Sequence, residues 1–259
     1  MKNHPFHLVD NSPWPISGSL GLMTTTSGMI MWMHKMNYIL MTIGMMIIML
    51  TMIQWWRDVT RESTFQGMHT IKVSMGMKIG MIMFIASEVL FFSSFFWTFL
   101  HSSLSPNIEI GMTWPPMGIK VFNPMNIPML NTMILLSSGM SMTWAHNALL
   151  NKNYSQLMHS MMCTIILGLY FSVLQFYEYY ESPFSMADSI YGSTFFMSTG
   201  FHGIHVIIGT MFIMVSMLRA KNLHMSNNHH IGFEASAWYW HFVDVVWLFL
   251  YLLVYWWGS

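Results

Sequence analysis

Two carboxylates lie inside long apolar segments, where an ionised side chain is costly. Glu88 falls in SEVLFFSSFFW and Asp244 falls in WHFVDVVW. An ionised carboxylate at the centre of a membrane helix costs about 2.5–3.5 kcal/mol on insertion scales. Glu88 should therefore be protonated or paired. We expect a satisfied interhelical hydrogen bond in preference to a proton-relay role, which stays open as the alternative.

Two pairs of ionisable residues have helical spacing. His241 and Asp244 are three residues apart, so both lie on one helix face and are expected to form a structural pair. His202 and His205 have the same spacing, which is compatible with a metal ion. No carboxylate or thiolate accompanies them at helical spacing, and we predict no metal there.

The same histidine segment contains three glycines that suggest helix packing. Gly200, Gly203 and Gly209 occur in GFHGIHVIIG. Small residues on a membrane helix allow another backbone to come close. We therefore expect all three glycines to mark a packing face.

The sequence offers no obvious redox centre. Cys163 is the single cysteine, and cysteine-ligated iron–sulfur or dinuclear copper clusters require at least two thiolates from one chain. His146 or His241 could ligate haem only with a partner on another helix, which the sequence does not identify. We expect no catalytic residues, metal or redox cofactor in this chain. Its ten basic and ten acidic residues also give no net charge to attract nucleic acid.

Two polar segments combine cations, histidines and hydroxyls. One is QWWRDVTRESTFQGMH, and the other is LRAKNLHMSNNHHIG. Such groups suit the phosphate of an anionic or zwitterionic lipid. The alternative is an ordinary excess of cationic residues beside a membrane, with an aromatic belt.

The elements that position these groups are predicted to be membrane helices. Hydrophobic residues form 54% of the chain and charged residues 8%. About 20 mostly apolar residues suffice to cross the hydrocarbon layer. Seven such stretches predict an all-α, polytopic membrane protein with seven transmembrane helices, of which the first is the most polar. They run near 16–34, 38–56, 79–101, 127–149, 156–177, 189–218 and 231–257.

The distribution of basic residues predicts the orientation. With seven spans, eight of the ten Lys and Arg residues lie on the side of the N-terminus, and only Lys35 and Lys120 lie opposite. Cationic loops stay on the side that is not translocated. On this prediction Glu178 and Glu181 lie in a loop on the less basic side. The eight residues on the basic side are Lys2, Arg57, Arg61, Lys72, Lys78, Lys152, Arg219 and Lys221.

Long strings resemble one family along essentially the whole chain. They include QWWRDVTRESTFQG, WPPMGI, TWAHNALL, EYYE, YGSTFFMSTGFHGIHVIIG and NHHIGFEASAWYWHFVDVVW. These strings are similar to cytochrome c oxidase subunit III, a mitochondrial family associated with haem-copper terminal oxidases. The 32 methionines fit an invertebrate mitochondrial gene product.

The resemblance implies a location and a helix arrangement. The family is a multi-pass component of the mitochondrial inner membrane, with the N-terminus in the matrix and the C-terminus in the intermembrane space. Its first two helices are splayed from a five-helix bundle by a lipid-filled cleft. Transferred to this chain, that gives a matrix-side N-terminal segment over 1–15, a two-helix part over 16–70 and a five-helix part over 71–259.

The resemblance also implies a function and partners. A member is a non-redox core subunit of respiratory complex IV, which reduces oxygen and pumps protons in aerobic respiration. Haem and copper belong to the partner subunits I and II, and smaller accessory subunits and a respiratory supercomplex are further expected partners. The family member binds structural phospholipids and supports the stability and proton uptake of the catalytic subunit.

The family's lipid-contact positions can be carried over to this chain. Met68 departs from the family pattern, because a histidine usually precedes His69; the departure puts one possible polar contact in doubt, not the family assignment. Glu88 matches the family's buried carboxylate in the third helix. The lipid-contact residues are Trp56, Val59, Ser63, Thr64, His69, Arg219, His224, Ser226, His229 and His230.

Two other functions remain open at this stage. A quinol-oxidase subunit III homologue would share the fold but serve a complex with another electron donor. A proton-coupled secondary transporter would also place carboxylates and histidines inside the membrane. The sequence shows no inverted repeat or pair of broken helices, which disfavours the transporter.

The orientation generates a labelling prediction. A cysteine introduced by Lys152→Cys should resist a membrane-impermeant thiol reagent in intact mitoplasts and react after the membrane is opened, because its loop belongs to the basic side. A cysteine introduced by Glu181→Cys provides the opposite-side control. Labelling at position 152 in intact mitoplasts would reverse the proposed topology.

Overall fold

The computed structural model describes residues 5–258 and contains seven long α-helices in that part of the chain. This confirms the all-α prediction, and each helix overlaps one predicted apolar stretch. The N-terminal segment predicted over 1–15 includes residues 1–4, among them Lys2, which lie outside the described residues. The helices are α1 Trp14–Lys35, α2 Ile39–Thr64, α3 Ile71–Leu104, α4 Ile127–Leu150, α5 Tyr154–Tyr180, α6 Ile190–Lys221 and α7 Ile231–Leu250.

Five of the helices are long and apolar enough to cross a membrane. They are α2, α3, α5, α6 and α7, the last with its π-helical continuation Tyr251–Trp257. Several helices extend beyond the apolar stretch that predicted them; α2, for example, continues past residue 56 to Thr64. Polar residues of the first basic segment, up to Thr64, are therefore part of helix α2.

The chain divides into two compact units, one ending at Met77 and one beginning at Lys78. In the first unit, α1 and α2 approach closely at glycines. A β-carbon built on Gly28 would lie 2.5 Å from the Met41 α-carbon, and one built on Gly44 would lie 2.5 Å from the Thr25 backbone nitrogen. Neither position therefore has room for a side chain. The polar character of α1 is accommodated because its serines and threonines largely hydrogen-bond to carbonyls of their own helix.

In the second unit, two tryptophans of α7 link the helices through their indole nitrogens. Trp240 Nε1 donates to Ser138 Oγ over 2.9 Å, and Trp247 Nε1 donates to Thr132 Oγ1 over 3.0 Å. Both acceptors are buried on α4. A buried polar group in an apolar environment needs a hydrogen-bond partner. Each of these two bonds satisfies an indole donor and a hydroxyl acceptor together.

Trp240 also explains the role of one glycine. A β-carbon on Gly209 would lie 2.9 Å from Trp240 Cε3, so the glycine admits the indole ring. The packing-face prediction is wrong for Gly203, which has no heavy atom of the described chain within 4 Å of that position, and Gly200 meets only the Tyr179 hydroxyl at 3.8 Å. The three glycines lie at different angles around α6, so only one of them faces α7.

This difference predicts unequal effects of the same substitution. Gly209→Ala should force the Trp240 ring to shift and should cost about 1–3 kcal/mol, as is usual for overpacking. Gly203→Ala is the matched control, since its methyl group meets open space in this chain. Thermal inactivation of the purified complex should be earlier for Gly209→Ala than for Gly203→Ala. Equal inactivation temperatures for the two variants would contradict this packing account.

Candidate functional site

Glu88 on α3 has an interhelical partner. Its Oε2 lies 3.0 Å from Nε2 of His205 on α6. The other ring nitrogen of His205, Nδ1, donates to the Phe201 carbonyl over 2.7 Å, since a carbonyl can only accept. A hydrogen bond between Nε2 and the carboxyl therefore requires one proton, which either partner can hold.

Aromatic rings surround this pair on two sides. Phe92 meets the His205 ring edge-on with centroids 5.1 Å apart, and Tyr239 stacks on it at 6.1 Å. The Glu88 side chain is 21% exposed and that of His205 is 11% exposed. The rings limit the contact of the pair with water, and the hydrogen bond supplies each polar atom with a partner.

His202 does not join His205 in a common site. Its Nε2 donates to the Val243 carbonyl on α7 over 3.2 Å, and its ring packs against Phe171 and Trp247. His205 instead reaches α3 through the Glu88 carboxyl. Although the two histidines have the spacing of metal ligands, each binds a different neighbouring helix.

Asp244 lies in the interior of the second unit beside His241. Asp244 Oδ2 and His241 Nδ1 are 3.7 Å apart, which permits an electrostatic interaction but exceeds a hydrogen bond. Gly139 leaves space for this carboxylate, because a β-carbon there would lie 2.6 Å from Oδ2. The geometry is compatible with the structural pair proposed for these residues.

Glu178 is a buried carboxyl that the sequence analysis placed in a loop. It lies in the last turn of α5 and is 1% exposed. Tyr255 donates its hydroxyl to Glu178 Oε1 over 2.5 Å. The prediction failed because EYYE is polar enough to resemble a loop. The only signal in favour of burial is that Gln175, also buried, precedes Glu178 by one helical turn.

The loop after α5 holds a carboxylate in its ionised form. The backbone nitrogen and the hydroxyl of Ser185 donate to Asp188 over 2.7 and 2.8 Å. These hydrogen bonds lower the pKa of Asp188 below its ordinary value. Two residues later the chain enters α6.

The first basic segment lies in the first unit, where its lipid-candidate residues surround the end of α2. Trp56 is exposed, and Val59, Ser63, Thr64 and His69 are half-buried. The Ser63 and Thr64 hydroxyls donate to the Thr60 carbonyl over 2.8 and 2.7 Å. Their oxygens therefore retain lone pairs, which suit a cationic or hydroxylated lipid headgroup better than a phosphate oxygen.

The second basic segment lies in the second unit, where it forms the end of α6 and the loop to α7. Arg219 is half-buried, and its guanidinium reaches Gly232 at the start of α7. Ser226 and His229 close the loop, because Ser226 Oγ accepts from the His229 nitrogen over 3.0 Å. His224 is half-buried, and the His230 ring is buried with its Nδ1 donating to the Ser226 carbonyl.

Comparison with known proteins decides the family. Residues 4–259 match the family model described as cytochrome c oxidase subunit III. The chain belongs to that family. Cytochrome c oxidase subunit 3 of Drosophila melanogaster is 63% identical over 258 residues, which cover 100% of this chain and 98% of the relative. The same protein of Anopheles gambiae is 62% identical over 257 residues, covering 99% and 98%. That of Heterololigo bleekeri is 57% identical over 259 residues, covering 100% of both chains.

Membership in the cytochrome c oxidase subunit III family confirms the resemblance found in the sequence. The chain is a core subunit of complex IV, the terminal oxidase of the respiratory chain. Its long apolar helices fit a membrane protein. The buried pairs described above are therefore parts of a subunit that works within a larger assembly.

The hydrogen-bond geometry of Glu88 yields a spectroscopic prediction. Glu88→Gln should remove an infrared band of a protonated carboxyl, because an ionised carboxylate is costly inside an apolar membrane helix. Glu181→Gln, at an exposed position after α5, should remove only carboxylate bands. If Glu88→Gln also removed carboxylate bands alone, the pair would consist of a carboxylate and an imidazolium.

Proposed function

We propose that this chain is the non-redox, phospholipid-binding subunit of a proton-translocating cytochrome c oxidase in the mitochondrial inner membrane. It stabilises the catalytic subunit and supports its proton uptake during oxygen reduction. The observation that carries the proposal is the family match over residues 4–259, together with ionisable groups that pair with one another inside the second unit.

Seven membrane spans are part of the proposal, although α1 and α4 are less apolar than the other helices. With 24 residues, α4 is about 36 Å long at about 1.5 Å per residue, enough to cross the hydrocarbon layer. Its polar residues Thr132 and Ser138 face the α7 tryptophans rather than lipid. The low hydropathy of α4 thus reflects interior hydrogen bonds, which membrane helices use to associate.

The orientation follows from the basic residues. We place the N-terminus and both basic segments in the matrix, and the C-terminus in the intermembrane space. The family's arrangement, with the first two helices splayed from the other five by a lipid-filled cleft, belongs to the same proposal.

The surroundings of the candidate metal-ligand residues are compatible with a chain that has no redox centre of its own. Cys163 is a lone exposed thiol, and His202 and His205 are engaged by different helices. Haem and copper are accordingly assigned to partner subunits I and II. Smaller accessory subunits and a respiratory supercomplex complete the proposed set of partners.

Lipid binding is proposed for the two basic segments. Arg219 supplies a charged donor near the end of α6, and His224 and Ser226 follow in the adjoining loop. Charge-assisted hydrogen bonds of this type contribute about 1.5–3 kcal/mol each. The five lipid-contact positions of each basic segment are proposed as a headgroup site of their own for anionic or zwitterionic phospholipid.

A quinol oxidase would have the same fold but a different electron donor. The relatives named above are cytochrome c oxidase subunits, which favours cytochrome c as the donor of the complex. Donor preference of the purified complex distinguishes the two. Oxidation of quinol in place of cytochrome c would exclude the proposed function.

Removing two headgroup donors should weaken lipid binding without unfolding the subunit. We expect Arg219→Ala combined with His224→Ala to leave the haem spectrum and initial turnover nearly normal. Copurified phospholipid should fall, and activity should decay faster during sustained turnover. Lipid content and inactivation kinetics are the measurements.

Lys221→Ala is the matched control, because it removes an exposed cation from the same helix end without touching a proposed lipid contact. Equal loss of lipid in both variants would mean that the segment attracts lipid only through its general positive charge. Unchanged lipid and unchanged inactivation in the double variant would reject the headgroup site. If the double variant fails to assemble, Arg219→Gln provides the milder test.

A further inference from the structure

Three potential metal ligands converge within the second unit, away from the Glu88 pair. They are His146 on α4, His230 immediately before α7, and Glu234 in the first turn of α7. One ligand atom of each lies within 4.8 Å of the others. His230 Nε2 and Glu234 Oε1 are 3.4 Å apart, and the His146 and His230 rings meet edge-on with centroids 6.0 Å apart.

His230 is already oriented as a metal ligand. Its Nδ1 donates to the Ser226 carbonyl over 3.0 Å, so in the neutral ring Nε2 carries the lone pair. That nitrogen is buried and has no hydrogen-bond partner among the described residues, and the His230 side chain is 6% exposed. Metal-binding histidines in proteins usually have their second nitrogen fixed in this way by a carbonyl or carboxylate.

One carboxylate oxygen of Glu234 pairs with Lys78, and the other oxygen faces His230. Its Oε2 lies 2.6 Å from Lys78 Nζ, whereas Oε1 faces His230 Nε2. A carboxylate orientated by a cation can still ligate a metal through its second oxygen. The lysine charge opposes a divalent ion, however, so binding should be reversible and weaker than at a structural site.

We propose that His146, His230 and Glu234 bind a divalent transition-metal ion, with Zn²⁺ as the best fit. Two imidazoles and one carboxylate with an open fourth position match the preference of zinc, whereas calcium and magnesium prefer oxygen ligands alone. The bound ion joins α4 to the start of α7. It competes for Glu234 with Lys78, which is the cation that faces this carboxylate.

The sequence does not connect these three residues. Its patterns single out His146 only as a possible haem ligand and His230 as a lipid contact, and they do not single out Glu234. The spacing of His230 and Glu234, four residues apart, was a local signal for one helix face. The third ligand comes from another helix, which no local spacing reveals.

Metal content and X-ray absorption test the site in the intact oxidase complex. The complex is first dialysed against a chelator, and Zn²⁺ is then added and counted by elemental analysis. The wild type should take up one equivalent that His146→Gln and His230→Gln lose. His159→Gln is the control, since it removes an exposed histidine of α5 and should leave uptake unchanged.

The zinc absorption edge of the added equivalent should show imidazole nitrogens at about 2.0–2.1 Å. Equal zinc uptake by wild type and His146→Gln, or an added zinc shell without imidazole, would overturn the proposal. If His230→Gln fails to assemble, the half-buried His146 variant decides the result. The haem spectrum of each variant shows whether the complex is intact.

Lys78→Gln separates metal binding from a purely structural role of the cluster. Removal of the competing cation should tighten Zn²⁺ binding several-fold, because Glu234 then ligates without displacing an ion pair. A structural network would lose stability and gain no zinc affinity. Unchanged or weaker zinc binding in Lys78→Gln would contradict the competition on which the proposal depends. His230 is also a proposed lipid contact, so the zinc uptake of His146→Gln and Lys78→Gln, which change no proposed lipid contact, separates the metal site from the lipid site.

Discussion

Inside a membrane, polar groups must find partners within the protein, because the hydrocarbon provides none. Several buried polar side chains of the second unit meet this constraint through bonds between helices. Trp240 and Trp247 of α7 donate to hydroxyls of α4, and Ser141 of α4 bonds Thr164 of α5 over 2.7 Å. These bonds define which helix faces meet, and glycines such as Gly209 give the large rings room to reach them.

The buried carboxyls obey the same constraint. Glu88 Oε2 lies 3.0 Å from His205 Nε2, and Glu178 accepts a hydrogen bond from Tyr255. Each pairing joins two segments that are far apart in sequence. A membrane subunit can therefore contain several acidic and histidine side chains whose first role is to hold helices together, and their presence alone does not indicate a transport pathway.

The sequence predicted the helices well because apolar runs of about 20 residues are a strong local signal. Contacts between helices were less accessible. Gly203 resembles Gly209 in sequence, yet only Gly209 accommodates a ring, because the rotation of α6 relative to α7 decides which glycine is covered. Glu178 was placed in a loop since its immediate neighbours are polar, whereas its partner Tyr255 is supplied by the distant C-terminal helix.

The candidate sites likewise include some features that the local sequence predicts and others that depend on residues far apart in the chain. The basic segments and Glu88 could be identified from composition and from similarity to a family. The partner of Glu88 and the convergence of His146 with His230 and Glu234 depend on the tertiary fold. Family membership then sets the context, since these groups belong to a core subunit of a respiratory oxidase rather than to an isolated carrier.

The central claim is that this chain supports the oxidase without holding its redox centres. The most direct measurement is to dissociate the chain from the purified complex with detergent and to determine iron and copper in both fractions, while recording cytochrome c oxidation by the remainder. We expect all haem iron and copper to stay with the remainder, which should begin turnover near the normal rate and lose activity faster. Haem or copper in the fraction containing this chain, or immediate loss of the haem spectrum from the remainder, would contradict the account.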